Sequence, residues 1–136
     1  MRVFLDTNVL VSAVATRGLC ADIVRLVLAE HRLILGETVL AEMRRVVREK
    51  LRIPESSAAE LEDLLRHQAI LIEDAPPVEG ELRDADDAAV LAEALAGNAD
   101  VLVTGDRDLL ELSWAPPLLV ISPRGFWERL RSDSGS

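Results

Sequence analysis

Four carboxylates in this chain, Asp6, Glu42, Asp87 and Asp106, have types and placements that can do chemistry. Asp6 ends the apolar run Val3-Phe4-Leu5, and Asp106 follows Val101-Leu102-Val103-Thr104-Gly105. Glu42 and Asp87 sit on or beside the apolar faces of helical stretches. An acid turned toward a core is costly unless it is paired or holds a metal. One such acid is unremarkable, but four that a single parallel sheet can gather suggest a divalent-cation site. Hard oxygen donors, with no clustered His or Cys, suit one or two Mg²⁺ or Mn²⁺ ions. Without metal, mutual repulsion should raise some of their pKa values. The chemistry implied is hydrolysis of a phosphodiester by water, in line, with no side chain as nucleophile.

Each acid also has a bland reading. Asp6, in Asp6-Thr7-Asn8, suits a turn or helix cap, and Asn8 either orients a ligand or caps, capping being the simpler. Glu42 lies at the edge of the stripe Val39, Leu40, Met43, Val46 and Val47, where surface glutamates are common. Asp87 is sharper, because Val90, Leu91 and Ala94 follow at three, four and seven residues. The helix dipole favours an acid in a first turn but does not explain one that faces inward. Asp84 reads as that helix's cap, or as a group supporting a ligand. Asp106 opens a short helix, as a ligand or a cap. Asp108 is an additional acid for the same site, and Thr104 is placed to position a water or a phosphate oxygen. Arg44, Arg45 and Arg48 form a basic helix face, either solvated or in contact with phosphates. His31 and His67 read as exposed helix-end residues, and Trp114 and Trp127 as packing residues.

Alternating elements must position these groups. Strands are expected at 2–6, 33–35, 69–72, 101–104 and 118–121. Helices are expected after Asp6, at 19–31 and 37–51, from Ser56 or Ser57 with a capping box to Glu60, at 84–96, after Asp106, and from Pro123 through Arg131. Residues 74–81 read as a loop. The strands are apolar without a period of two, which describes a parallel sheet covered on both faces. In such sheets the site lies off the carboxyl ends of the strands.

At 136 residues, 49% hydrophobic and only 3% aromatic, the chain reads as one domain with an aliphatic core. Residues 1–131 form that domain, and 132–136 are expected to be a disordered tail. No apolar run reaches membrane-spanning length, so a cytoplasmic protein with no membrane partner is expected. The single Cys20 excludes an internal disulfide and a cysteine zinc site. Net charge is −9, against a broad grip on nucleic acid, but it is uneven. Residues 60–111 carry 15 acids against three arginines, whereas 42–53 are net +3. Bound cations would offset part of the acidic excess, so a phosphodiester substrate stays open. No Gly-Lys-Ser/Thr phosphate loop or glycine-rich dinucleotide fingerprint is present. The lone Lys50 lies on the basic helix, which disfavours a phosphoacceptor or aspartate-nucleophile phosphatase.

In order and spacing, four segments resemble a PIN domain over residues 1 to about 131. They are Val3-Phe4-Leu5-Asp6-Thr7-Asn8-Val9-Leu10-Val11-Ser12-Ala13, Glu42 on its helix, Arg83 to Leu91, and Val103 to Leu110. The ending Ile121-Ser122-Pro123-Arg124-Gly125-Phe126-Trp127 also resembles the family. The subfamily most similar comprises toxins of bacterial toxin–antitoxin systems. The resemblance implies a three-layer α/β/α sandwich around a mostly parallel sheet of about five strands. It implies a Mg²⁺- or Mn²⁺-dependent endoribonuclease whose acidic cluster maps onto Asp6, Glu42, Asp87 and Asp106, with Asp108 additional. It also implies an RNA substrate, an antitoxin protein as partner, and a homodimer as a common assembly. Gly36 and Ala85 depart from the family, whose members often carry a small polar residue and Pro there. The competing reading is a non-catalytic PIN-like scaffold binding RNA or protein, which loss of cluster acids would favour; all are present.

Overall fold

A computed structural model describes residues 1–78, 84–111 and 118–134, and for Asp133 and Ser134 the backbone alone. Five strands form one sheet in the order β3-β2-β1-β4-β5, and every pairing is parallel. The strands are β1 (Arg2–Leu5), β2 (Arg32–Gly36), β3 (Ile70–Ile72), β4 (Val101–Val103) and β5 (Leu119–Ile121). The helices are α1 (Thr7–Ala15), α2 (Leu19–Glu30), α3 (Glu37–Glu49), α4 (Glu55–Gln68), α5 (Ala85–Ala96), α6 (Arg107–Leu110) and α7 (Pro123–Ser134). This is the expected α/β/α sandwich. Parallel strands need crossovers, and the helices supply them on both faces. Helices α1 to α4 pack on one another with α7 against α2, while α5 lies over β2.

The central strands are buried on both sides, which is why they lack alternation. Val3, Phe4, Leu5, Ile34, Leu35, Leu102 and Val103 have no exposed surface. Phe126 of α7 is equally buried and belongs to the same core. Register brings β1 and β4 to a common end, with Leu5 opposite Val103. Asp6 and Thr104 therefore leave the sheet side by side. At the other end, the Arg2 guanidinium donates twice to the Gly97 carbonyl, at 3.0 and 2.6 Å.

Local details differ from the sequence expectations. Helix α4 opens at Glu55 with no side-chain cap, so neither Ser56 nor Ser57 starts it and no box to Glu60 forms. Pro54 presets the entry instead, since its ring fixes φ near the helical value. Helix α5 ends at Gly97, but the left-handed residue is Asn98, at φ 53°. Helix α7 runs to Ser134, three residues into the segment expected to be disordered. His31 is half-buried at the end of α2, its Nδ1 3.1 Å from the N-terminal amine. Cys20 is half-buried on α2, and burial raises its thiol pKa. Trp127 is half-buried against the core, while Trp114 and residues 79–81 of the expected loop lie outside the described residues.

Candidate metal centre

At the carboxyl end of the sheet, three acids each open a helix. Asp6 begins α1, its Oδ1 accepting from the Thr7 amide at 2.8 Å. Asp84 begins α5, accepting from the amides of Asp86 and Asp87 at 2.8 and 3.3 Å. Asp106 begins α6, accepting from the Asp108 amide at 2.9 Å. Capping and a site role are therefore not alternatives here. A carboxylate has two oxygens and about four acceptor directions, so a cap bond to one oxygen leaves other directions for further partners.

Asp6, Glu42, Asp84, Asp86, Asp87 and Asp106 all line one cleft of about 440 Å³, together with Thr7, Asn8, Ser12 and Lys50. All four acids singled out in the sequence thus converge, from four separate segments. Asp87, Asp106 and Asp108 each present a carboxylate oxygen within 4.8 Å of the others, a spacing that could hold a cation. Asp108 itself is exposed. Glu42 is half-buried, and its Oε2 accepts from the Thr7 hydroxyl at 3.1 Å.

Asp6 is the most deeply held acid of the cleft, only 5% exposed. Its Oδ2 accepts from the Thr104 hydroxyl at 2.7 Å and from the Asn8 amide at 3.1 Å. Burial raises the Asp6 pKa, the bonds from Thr104 and the Thr7 amide lower it, and the Asp106 charge raises it again. The Asp87 carboxyl is pushed up to about 7, first by burial and then by a proton shared with Asp106 and the charges of Asp106, Asp84 and Asp6. The expected repulsion is therefore present, and it falls on Asp87. An all-oxygen donor set in which burial and like charge make Asp6 and Asp87 reluctant to ionise fits a hard divalent cation, whose charge would reverse both effects.

Of two supporting residues, Thr104 acts differently from expectation and Asn8 follows the first of its two readings, orienting an acid. Thr104 has no exposed surface, so it cannot reach a water or phosphate in the cleft. Its hydroxyl is given to Asp6 and accepts from the Asp106 amide at 3.0 Å, tying the two acids together. Asn8 is not a cap. Its amide bridges outward, donating to Asp6 and accepting from the Gly105 amide at 2.8 Å, which clamps the β4–α6 turn to α1.

The basic face does not line the cleft. Arg44 pairs with Glu62, Arg48 with Glu55 at 2.7 Å, and Arg45 lies 3.7 Å from Glu49 and 4.0 Å from Glu42. The Arg44–Glu62 pair continues through Arg66 to Glu37, lashing α3 to α4. Arg44 and Arg66 hold the Glu62 carboxyl down to about 2. The cation that does line the cleft is Lys50, at the end of α3, with no carboxylate partner among the described residues. Sequence reasoning set Lys50 aside with the basic face. Its position one turn beyond Val46, which also lines the cleft, was the available signal.

The family model of the PIN domain matches residues 2–108. The fold is similar to that of VapBC2 from Rickettsia felis bound to a DNA fragment from its promoter, at 18% identity and TM-score 0.60, over 90% of this chain and 98% of that one. It is similar to VapBC-1 from nontypeable Haemophilus influenzae, at 20% identity and TM-score 0.57, over 86% and 98%. PAE2754 from Pyrobaculum aerophilum matches at 19% identity and TM-score 0.62, over 97% and 90%. No curated protein matches the sequence.

Proposed function

Because the chain belongs to the PIN-domain family, we propose that it is a metal-dependent endoribonuclease, the toxin of a bacterial toxin–antitoxin pair. The observation that carries this reading is the convergence of Asp6, Glu42, Asp87 and Asp106 on one cleft. Those four acids, with Asp108 beside Asp87 and Asp106, would hold one or two Mg²⁺ or Mn²⁺ ions. A divalent ion there supplies charge to a phosphodiester and lowers the pKa of water.

The chain's own residues set the geometry. Thr104 and Asn8 fix the Asp6 carboxylate, so its orientation is set before any ligand arrives. The Thr7 hydroxyl does the same for Glu42. Asp84 holds the first turn of α5 and with it Asp87. Lys50 offers the cleft a positive charge for a phosphate oxygen. Arg44, Arg45 and Arg48 lie outside the cleft in ion pairs and would meet RNA phosphates only along a longer strand. Residues 1–131 act as one nuclease domain in this reading. An antitoxin partner follows from the toxin subfamily that the sequence resembles, and the fold likeness to the two VapBC structures supports it. A homodimer in the cytoplasm belongs to the same reading.

The test is cleavage of single-stranded RNA with Mn²⁺, with Mg²⁺ and with chelator, beside Asp6→Asn prepared identically. Asn caps a helix about as well as Asp, so the variant should keep its fold. Metal-dependent cleavage by the wild type that falls by roughly two orders of magnitude or more in the variant is the expected result. A fully active Asp6→Asn protein would overturn the assignment.

A further inference from the structure

Glu93 is the buried acid that the metal centre does not use. It is 5% exposed, and its Oε1 has no hydrogen-bond partner among the described residues. An orphaned buried oxygen is costly and implies that the other oxygen does something in return. The Oε2 accepts from the Thr38 amide, in the first turn of α3, at 3.3 Å. That helix needs such a partner. Its cap position is Gly36, which has no side chain to offer. Gly36 has φ −124° and ψ 168°, ordinary extended backbone, so no dihedral requires glycine. What glycine leaves there is room. A Cβ at residue 36 would overlap the Glu93 carboxylate, which would have to move away.

We infer that Glu93 caps α3 from α5, through the opening left by Gly36, and that this link positions Glu42 opposite Asp87. Glu42 stands four residues beyond Thr38 on α3, and Asp87 six residues before Glu93 on α5. The link therefore joins the two helices that carry those two acids. Burial raises the Glu93 carboxyl, while the α3 amides and the Thr38 hydroxyl lower it, as expected of an acid held against a helix N-terminus. The positioning half of the inference rests on the metal reading above; the capping half does not.

A cycle of four proteins tests it: wild type, Glu93→Ala, Gly36→Ser and the double variant. The serine supplies a local cap to α3 where the carboxylate lay, but it does not join α3 to α5. Amide exchange at Thr38 in the absence of metal reads the cap. Calorimetric titration with Mn²⁺ reads the positioning. Glu93→Ala should speed Thr38 exchange about 10-fold with glycine at 36 and less than about 3-fold with serine there, a coupling that independent sites do not show. Each single variant and the double should weaken Mn²⁺ binding about 10-fold, the usual effect of losing a group that orients ligands. Equal speeding by Glu93→Ala in both backgrounds would overturn the cap. Mn²⁺ affinity unchanged in both single variants, or restored in the double, would overturn the positioning. If Glu93→Ala does not fold, Glu93→Gln keeps the accepting oxygen and should bind Mn²⁺ within about 3-fold of wild type; a 10-fold loss there would sink the positioning. If the wild type itself fails to bind Mn²⁺, the functional reading falls and the positioning with it, and the exchange cycle still decides the cap.

Discussion

The metal-free protein should lose stability as pH rises from 5 to 8. Asp87 is the reason: its carboxyl ionises at about 7 in the folded chain against an ordinary 3.8. Between those values the folded chain binds a proton that the unfolded chain has released. Stability then falls with pH, because its slope follows the protons bound by the unfolded state minus those bound by the folded one. Each pH unit across that window costs at most ~1.4 kcal/mol, giving an upper bound of roughly 4 kcal/mol. Asp87 is only half-buried, and solvent screens part of this. About 1–2 kcal/mol is the reasonable expectation, or a fall in Tm of roughly 4–8 °C. Asp6 and Glu93 are raised too and act in the same direction. His31, held below its ordinary 6.5 by burial, opposes them. The assay is thermal unfolding in chelator at pH 5.0 and 7.5, repeated with saturating Mg²⁺ and with Asp87→Asn. The metal should remove most of the slope, since a cation makes the ionised cluster the favoured one. Asp87→Asn should flatten it without metal. A wild type that is as stable in chelator at pH 7.5 as at 5.0 would refute the reasoning, as would an undiminished slope in Asp87→Asn.

Other perturbations follow from the same geometry. Thr104→Val removes the 2.7 Å bond to Asp6 and leaves the Asp106 amide without its acceptor; chemical denaturation should show a loss of roughly 1–3 kcal/mol. Lys50→Ala should raise KM for RNA several-fold while leaving Mn²⁺ affinity, by calorimetry, unchanged or slightly tighter. Equal loss of both would show that Lys50 supports the acids rather than the substrate. Glu62→Ala removes the carboxylate partner of Arg44 and leaves Arg66 held by Glu37 alone. It should lower stability by about 1 kcal/mol in low salt and by less in high salt, read from urea midpoints.

Much of this was legible in the sequence because apolar runs and carboxylates are both strong signals. Val3 to Leu5 and Val101 to Val103 could only be buried parallel strands, and register then carries Asp6 and Asp106 to one end. Asp87 announced itself by lying on an apolar face. What escaped the sequence was partnership. A hydroxyl such as Thr104 looks the same whether it meets solvent or a buried carboxylate, and only the sheet register decides. Asn8 likewise looks like a cap until the turn at Gly105 is brought against it. Glu93 was the sharpest omission. It lies on α5 six residues past Asp87, amid buried alanines, where an acid reads as a surface residue unless the empty Cβ position at Gly36 is known.

Drawing its acids from residues 6, 42, 87 and 106 has a consequence for how the protein comes into being. The central strand β1 is made first, yet its neighbour β4 is made nearly a hundred residues later. On the ribosome, Asp6 must wait while 98 residues are added before Thr104 arrives to orient it. At about 5–20 residues per second that interval lasts several seconds. A nascent chain therefore carries no assembled acidic centre until Asp106 has emerged, and one terminated before that residue never acquires it. The topology itself delays assembly of the centre until β4 and the turn after it have been made.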